Sequence, residues 1–269
     1  MKSRWVKGVL TVVGAVTFST LGIFASDALR GIDSGTGNLA GVRSMGTCET
    51  GSTPLKVDGN LLCVDLYEAS PGKGCPYQNP GSPTETERNA TAEGCYAASV
   101  AGASPWTYVS LPQAQRMCLG AGKRLPTGKE WHRIALGTSA EDCTVNRNGA
   151  EKTGNSTCVS DAGAFDAVGN VWEWVDETVT DGSYDGRVLP GEGYVTSVDA
   201  DGVAITSGEL PDELYGEDYI WMNASGVMGM IRGGYYSSGE DGGLYTVNAS
   251  IPTSFATQGI GFRCVEDVF

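Results

Sequence analysis

The chain has one histidine, His132, among 269 residues. That excludes a zinc centre built on paired histidines. No G-x-S-x-G stretch occurs, so the strand-turn-helix elbow of a serine hydrolase is missing. No two cysteines stand in a C-x-x-C pair, which argues against metal-ribbon and thioredoxin-like chemistry. Positive charge is scarce: 18 Lys and Arg against 32 Asp and Glu leave a net charge of −14 and a pI near 4.4. A nucleic-acid backbone needs a basic footprint, so it is excluded as partner. Long apolar runs are also scarce, with one stretch from Gly8 to Ala25.

That stretch follows Lys2, Arg4 and Lys7 and precedes small residues at Ala25-Ser26-Asp27-Ala28. It reads as an export signal over 1–28, either cleaved or kept as an anchor. The positive-inside bias places the remainder outside the cytoplasm, secreted or displayed at the surface. Membrane contact is then expected only through this segment, if uncleaved. Residues 29–46 are rich in Gly, Ser and Asp and read as a linker. One domain is expected over 47–269.

The eight cysteines are Cys48, Cys63, Cys75, Cys95, Cys118, Cys143, Cys158 and Cys264. An even count behind an export signal favours disulfides. Connectivity is not determined by sequence alone. Proximity suggests Cys48–Cys63, Cys75–Cys95 and Cys143–Cys158, leaving Cys118–Cys264 as a long-range tie. The 39 glycines point to many turns and short strands.

Residues 61–69 read as a core strand, and 70–104 as turn-rich. Two capping boxes announce helices. Ser110-Leu111-Pro112-Gln113 starts one whose buried face holds Ala114, Met117 and Cys118. Thr127-Gly128-Lys129-Glu130 starts another with Trp131, Ile134 and Ala135 inward. His132 lies off that stripe and reads as exposed or hydrogen-bonded. In Asp166-Ala167-Val168-Gly169-Asn170-Val171-Trp172-Glu173-Trp174 the tryptophans alternate as on a strand, with Glu173 on the other face. Asp166 and Glu173 could converge on a hard cation. On spacing alone, a buried tryptophan core with a surface carboxylate is the simpler reading. Residues of about 176–222 carry many acids and one base, Arg187, and read as a solvated insertion of hairpins.

The last forty residues have rigid ends and an arbitrary middle. Arg232-Gly233-Gly234 and Gly261-Phe262-Arg263-Cys264 look like framework. Between them aromatic, hydroxyl, acidic and small side chains follow no period, except for strand-like Leu244 to Val247. Loops of such composition on a rigid scaffold are usual binding surfaces.

Residues 63–70, 122–131 (Gly122-Lys123-Arg124-Leu125-Pro126 through Trp131), Val168-Gly169-Asn170-Val171-Trp172-Glu173-Trp174, Arg232-Gly233-Gly234 and Gly261-Phe262-Arg263-Cys264 together resemble the formylglycine-generating-enzyme (sulfatase-modifying factor) family. The resemblance implies an α+β, C-type-lectin-like fold, with short helices, a small antiparallel sheet and much irregular structure. It supports the Cys118–Cys264 tie. It implies a structural calcium at Asp166, Gly169, Val171 and Glu173, the last through its side chain. Family enzymes oxidise a sulfatase cysteine with copper held by two cysteines spaced C-x4-C. The matching stretch here, Tyr236 to Gly242, has none, and Cu(I) needs thiolates. No copper and no enzyme activity are therefore expected.

The C-terminus most resembles the variable proteins of diversity-generating retroelements, which share the fold. There a reverse transcriptase rewrites adenines in a C-terminal repeat, turning AAC codons into others. Set on that repeat, asparagine positions fall at Ser237, Ser238, Asp241, Asn248, Ser250, Ile251, Phe255, Thr257 and Gly259. Each residue there is reachable from AAC by changing adenines only. Tyr235 and Tyr236 have TAC available but depart from the pattern. The resemblance implies a variable region over 232–264 that binds a protein or glycan ligand outside the cell. Tyr235, Tyr236, Tyr245 and Phe255 would be rigid anchors, with Ser237, Ser238, Glu240, Asp241 and Asn248 tuning polarity. Two other readings are a fixed lectin-like module and an oxidase of the formylglycine-generating type, the latter disfavoured by the missing cysteines.

Overall fold

The computed structural model describes residues 48–154 and 157–268. The expected signal segment and linker lie outside them. The hairpin β1 (Ser52–Val57) and β2 (Asn60–Asp65) turns at Asp58-Gly59, both with positive φ. Short β3 (Ala69–Pro71) pairs with β4 (Ala97–Ser99).

The helices are α1 (Pro83–Thr91), α2 (Leu111–Gly120) and α3 (Gly128–Ala135). Both expected capping boxes form. The Ser110 amide donates to Gln113 Oε1 at 2.9 Å, and the Thr127 amide to Glu130 Oε2 at 2.8 Å. Helix α1 lies in the stretch read as turns. It has a Ser82 N-cap and no apolar stripe, burying only Thr86, Asn89 and Ala90. His132 is buried rather than exposed. It sits against Gly202, and its Nδ1 has no hydrogen-bond partner among the described residues. Burial, then the nearby Arg232 and Arg133 charges, lowers its pKa to about 4.

The main sheet holds β5 (Trp172–Thr180), β6 (Ser183–Tyr184), β7 (Arg187–Val188), β8 (Gly193–Val198), β9 (Ala204–Gly208), β10 (Tyr219–Met222), β11 (Val227–Arg232), β12 (Val247–Pro252) and β13 (Ile260–Gly261). Its order is β7-β6-β5-β11-β12-β10-β8-β9, with β13 beside β5. The α+β class is as expected, but this sheet is larger than anticipated and mixed. The β10–β12 and β13–β5 pairs run parallel. A final strand, β14 (Val265–Val268), returns to β2.

The acidic stretch of about 176–222 is not a solvated insertion. It supplies β6 to β10, and its Tyr184, Val195, Val203, Ala204 and Ile220 join Val179, Met230, Val247 and Ala249 in one core cluster. The two ends of the strand order meet through Arg187. From β7 it donates to the Ala204 carbonyl of β9 at 2.9 Å and to Asp199 at 2.5 Å. The lone base of an acidic stretch thereby curls the sheet onto itself. A second cluster, on the side of α2, contains Trp106, Met117, Trp172, Trp174, Ile231 and Phe262. Central strands β5 and β11 are thus covered on both faces.

All eight cysteines are paired as proximity suggested: Cys48–Cys63, Cys75–Cys95, Cys143–Cys158 and the long tie Cys118–Cys264. The last joins α2 to the end of the C-terminal segment.

Candidate functional site

The final segment is held at both ends by one buried hub, Trp131 of α3 and Glu173 of β5. At the far end, Arg263 grips Glu173. Its Nη2 donates to Oε1 at 2.6 Å and its Nε to Oε2 at 2.8 Å, with both side chains fully buried. The Trp131 indole donates to the same carboxylate at 2.7 Å. At the near end, the Arg232 guanidinium lies over the Trp131 ring, 4.9 Å from its centroid. Arg232 has no carboxylate clamp. It donates instead to the carbonyls of Gly202 at 2.9 Å, Leu244 at 3.2 Å and Asp201 at 3.3 Å. Gly233, at φ +88°, lies so close to this hub that a Cβ would stand 2.5 Å from the Ala167 carbonyl oxygen and 2.9 Å from the Trp131 ring.

This pairing corrects the reading of Glu173 as a surface carboxylate. The side chain points away from Trp172 and Trp174 and is buried, meeting a guanidinium and an indole rather than solvent. A buried bidentate pair of this kind satisfies both oxygens. Asp166 Oδ2 accepts from the Gly154 amide at 2.6 Å. Gly169 and Val171 spend their amides on the Gly233 carbonyl and on Glu68 Oε1. Among the described residues no group of three or more His, Cys, Asp or Glu is arranged to hold a metal ion. Sequence reading passed over Glu68, which is fully buried beside Asn170 and Val171. Burial, with Asp166 and Glu173 nearby, holds its carboxyl well above the usual range.

Between the anchored ends the chain opens into a cleft of about 470 Å³. Its lining includes Tyr235, Tyr236, Ser237, Ser238, Asp241, Asn248, Ile251, Phe255, Thr257 and Gly259, ten of the twelve expected ligand positions. The other two lie elsewhere. Ser250 donates to Asn248 Oδ1 at 2.8 Å and so orients a lining amide. Glu240 faces a separate acidic hollow with Glu141, Glu213 and Glu217. Ser237 and Phe255 are exposed, and Asp241 and Ser250 half-buried.

Sequence reading missed Trp172, Trp221, Ile231, Gln258 and Ile260, which complete the lining. Trp172 meets Trp221 edge-on at 5.8 Å and stacks on Tyr235 at 6.4 Å. The alternation Tyr219-Ile220-Trp221 was a usable signal for an outward tryptophan, hidden by treating the acidic stretch as solvated. Among the described residues no lysine, arginine or histidine lines the cleft. Partial burial, then Glu240, raises the Asp241 carboxyl.

A profile of the sulfatase-modifying factor enzyme 1-like domain matches residues 50–268. The chain belongs to this family. Its fold is the family's C-type-lectin-like fold. Among known proteins, the chain is 27% identical to the Bos taurus "Inactive C-alpha-formylglycine-generating enzyme 2" over 141 residues. The match spans 40% of this chain and 46% of that protein, less than half its length. Among solved structures, the Major Tropism Determinant P3c Variant is 20% identical, covering 81% of this chain and 53% of that one, with a TM-score of 0.44. PvdO from Pseudomonas aeruginosa is 13% identical over 80% and 90% of the two chains, with a TM-score of 0.46. Treponema denticola variable protein 1 is 11% identical over 80% and 99%, with a TM-score of 0.40.

Proposed function

We propose that this sulfatase-modifying-factor-like chain is an exported ligand-binding protein whose C-terminal face, within 232–264, is diversified by a retroelement. One observation carries the reading. Eight of the nine positions assigned from adenine-reachable codons converge on a single open cleft, while the flanking Arg232, Gly233, Phe262, Arg263 and Cys264 are buried. Variation at the lining then changes ligand contacts while the buried frame at the two ends stays fixed. The four disulfides brace that frame and accord with an oxidising compartment. Among the described residues no helix is long and apolar enough to cross a membrane.

Copper oxidase chemistry has no support in the residues present. All eight cysteines are consumed in disulfides, and the cleft offers no thiolate pair for Cu(I). The fixed lectin-like module predicts the same cleft, and the gene decides between the two. Sequencing the locus from many isolates should show differences concentrated at the nine AAC-derived codons, beside a near-identical repeat and a reverse-transcriptase gene. Identical codons across isolates with no such repeat would leave a fixed module.

A further inference from the structure

Six aromatic rings run in unbroken contact away from the hub. Tyr236 meets Tyr235 at 4.8 Å, and Tyr235 meets Trp172 at 6.4 Å. Trp172 meets Trp221 at 5.8 Å, Trp221 meets Tyr219 at 4.7 Å, and Tyr219 meets Tyr194 at 5.2 Å. The first four line the cleft. Tyr219 and Tyr194 lie beyond it, on β10 and β8, outside the segment expected to vary.

Strand geometry explains why these two share the cleft's side of the sheet. Tyr219 and Trp221 alternate with Ile220, which is fully buried in the core cluster of the acidic stretch, so both point outward. Tyr194 is directly across from Tyr219 in the antiparallel pair and precedes buried Val195. Tyr194, Tyr219 and Trp221 all stay half-exposed. Singly exposed aromatics need no explanation, but a connected row joined to a cleft does.

The surroundings narrow the ligand. Glu192 and Asp241 stand near Tyr219, and burial followed by these charges raises its phenol. With no base in the cleft and carboxylates beside the row, an anionic ligand would be repelled. The remaining polar lining is hydroxyl and amide: Ser237, Ser238, Asn248, Thr257 and Gln258. Ring faces flanked by such groups match a sugar, which offers an apolar C–H face and a rim of hydroxyls. A protein hot spot would more often add arginine, and none is present.

We propose that the row Trp221–Tyr219–Tyr194 is an invariant extension of the cleft that binds a linear, uncharged oligosaccharide, its sugars packing along the row. The inference rests on the cleft being a ligand surface. In it, the C-terminal residues select the end of the glycan, and the β8–β10 aromatics grip its length.

The test titrates the full chain, by tryptophan fluorescence, with chitin-, cellulose- and maltose-type oligosaccharides of two and six units, and with a heparin hexasaccharide. At least one uncharged hexamer should bind about tenfold more tightly than its dimer, the gain from added ring contacts. Tyr219→Ala and Tyr194→Ala should each weaken the hexamer about fivefold, leaving dimer affinity and melting temperature unchanged. Tyr235→Ala should weaken both lengths. Absence of binding to every uncharged hexamer, affinity independent of length, or preference for heparin overturns the proposal. So does hexamer binding lost in Tyr235→Ala but intact in both outer variants, which leaves the cleft reading standing. Failure of the diversified-cleft reading would show separately, as identical codons across isolates.

Discussion

The last forty residues contain two regions of opposite character. The ends, Arg232-Gly233-Gly234 and Phe262-Arg263-Cys264, are buried, and both converge on Trp131. The middle, from Tyr235 to Gly259, lines an open cleft with its side chains half-buried or exposed at most positions. A loop can change freely only if its ends cannot move, and two buried guanidinium groups hold these ends. Their chemistry differs. Arg263 is neutralised by Glu173, whereas Arg232 rests on carbonyl oxygens and an indole face. The difference sets how much each should cost to remove.

The largest effect is expected at Arg263. Arg263→Met strands Glu173 as a buried charge and should cost ~3–5 kcal/mol in urea unfolding. Adding Glu173→Leu should recover part of that loss. Equal losses in the single and double variants would show that packing, not the ion pair, holds this end. Next comes the long tie. Replacing Cys118 and Cys264 together by serine should cost about 3 kcal/mol, read as a lower urea midpoint. Arg232→Met should cost less, ~2 kcal/mol, because it removes donors and a cation–π contact without breaking a direct ion pair. A loss as large as that at Arg263 would erase the distinction between the ends.

A pH effect sharpens the contrast further. Asp218, at the start of β10, accepts the Tyr245 amide at 2.5 Å and so ties the acidic stretch to the C-terminal segment. Burial, opposed by that hydrogen bond, raises its carboxyl to about 7. The folded state therefore binds this proton more tightly than the unfolded chain, where the carboxyl titrates near ~4. The resulting stability is fully present below that lower value and is lost as pH rises through 7. Asp218→Asn should gain melting temperature relative to wild type between pH 5 and pH 8. An unchanged difference would mean that Asp218 is not protonated in the fold. The smallest effects belong to the middle. Ser237→Ala, Thr257→Ala and Phe255→Ala should each stay within about 0.5 kcal/mol of wild type.

What could be read from the sequence was mostly local. The two capping boxes, the three short disulfide loops and the outward positions of the C-terminal segment follow from neighbouring residues. The long tie followed from elimination and from the family resemblance. Glu173 was singled out as a metal ligand, but its partner in the fold, Arg263, is 90 residues away, and spacing along the chain carried no hint of the pair. Arg187 was noted as the lone base of an acidic stretch. Its role in joining β7 to β9 depends on a sheet order that composition does not reveal. Trp221 and Tyr219 were missed because net charge was taken as a sign of solvation, although every second residue of β10 faces inward or outward by strand geometry. Helix α1 escaped because its buried face is Thr86, Asn89 and Ala90, which no hydrophobic period can flag.

The central claim is that fixed ends carry a freely variable middle. The most direct measurement is a proteolysis-coupled scan of every substitution from Ile231 to Cys264, scoring folded protein. The account predicts broad tolerance at Tyr235, Ser237, Ser238, Asp241, Asn248, Ile251, Phe255 and Thr257. It predicts near-complete intolerance at Arg232, Gly233, Phe262, Arg263 and Cys264. Similar intolerance along the whole segment would contradict it.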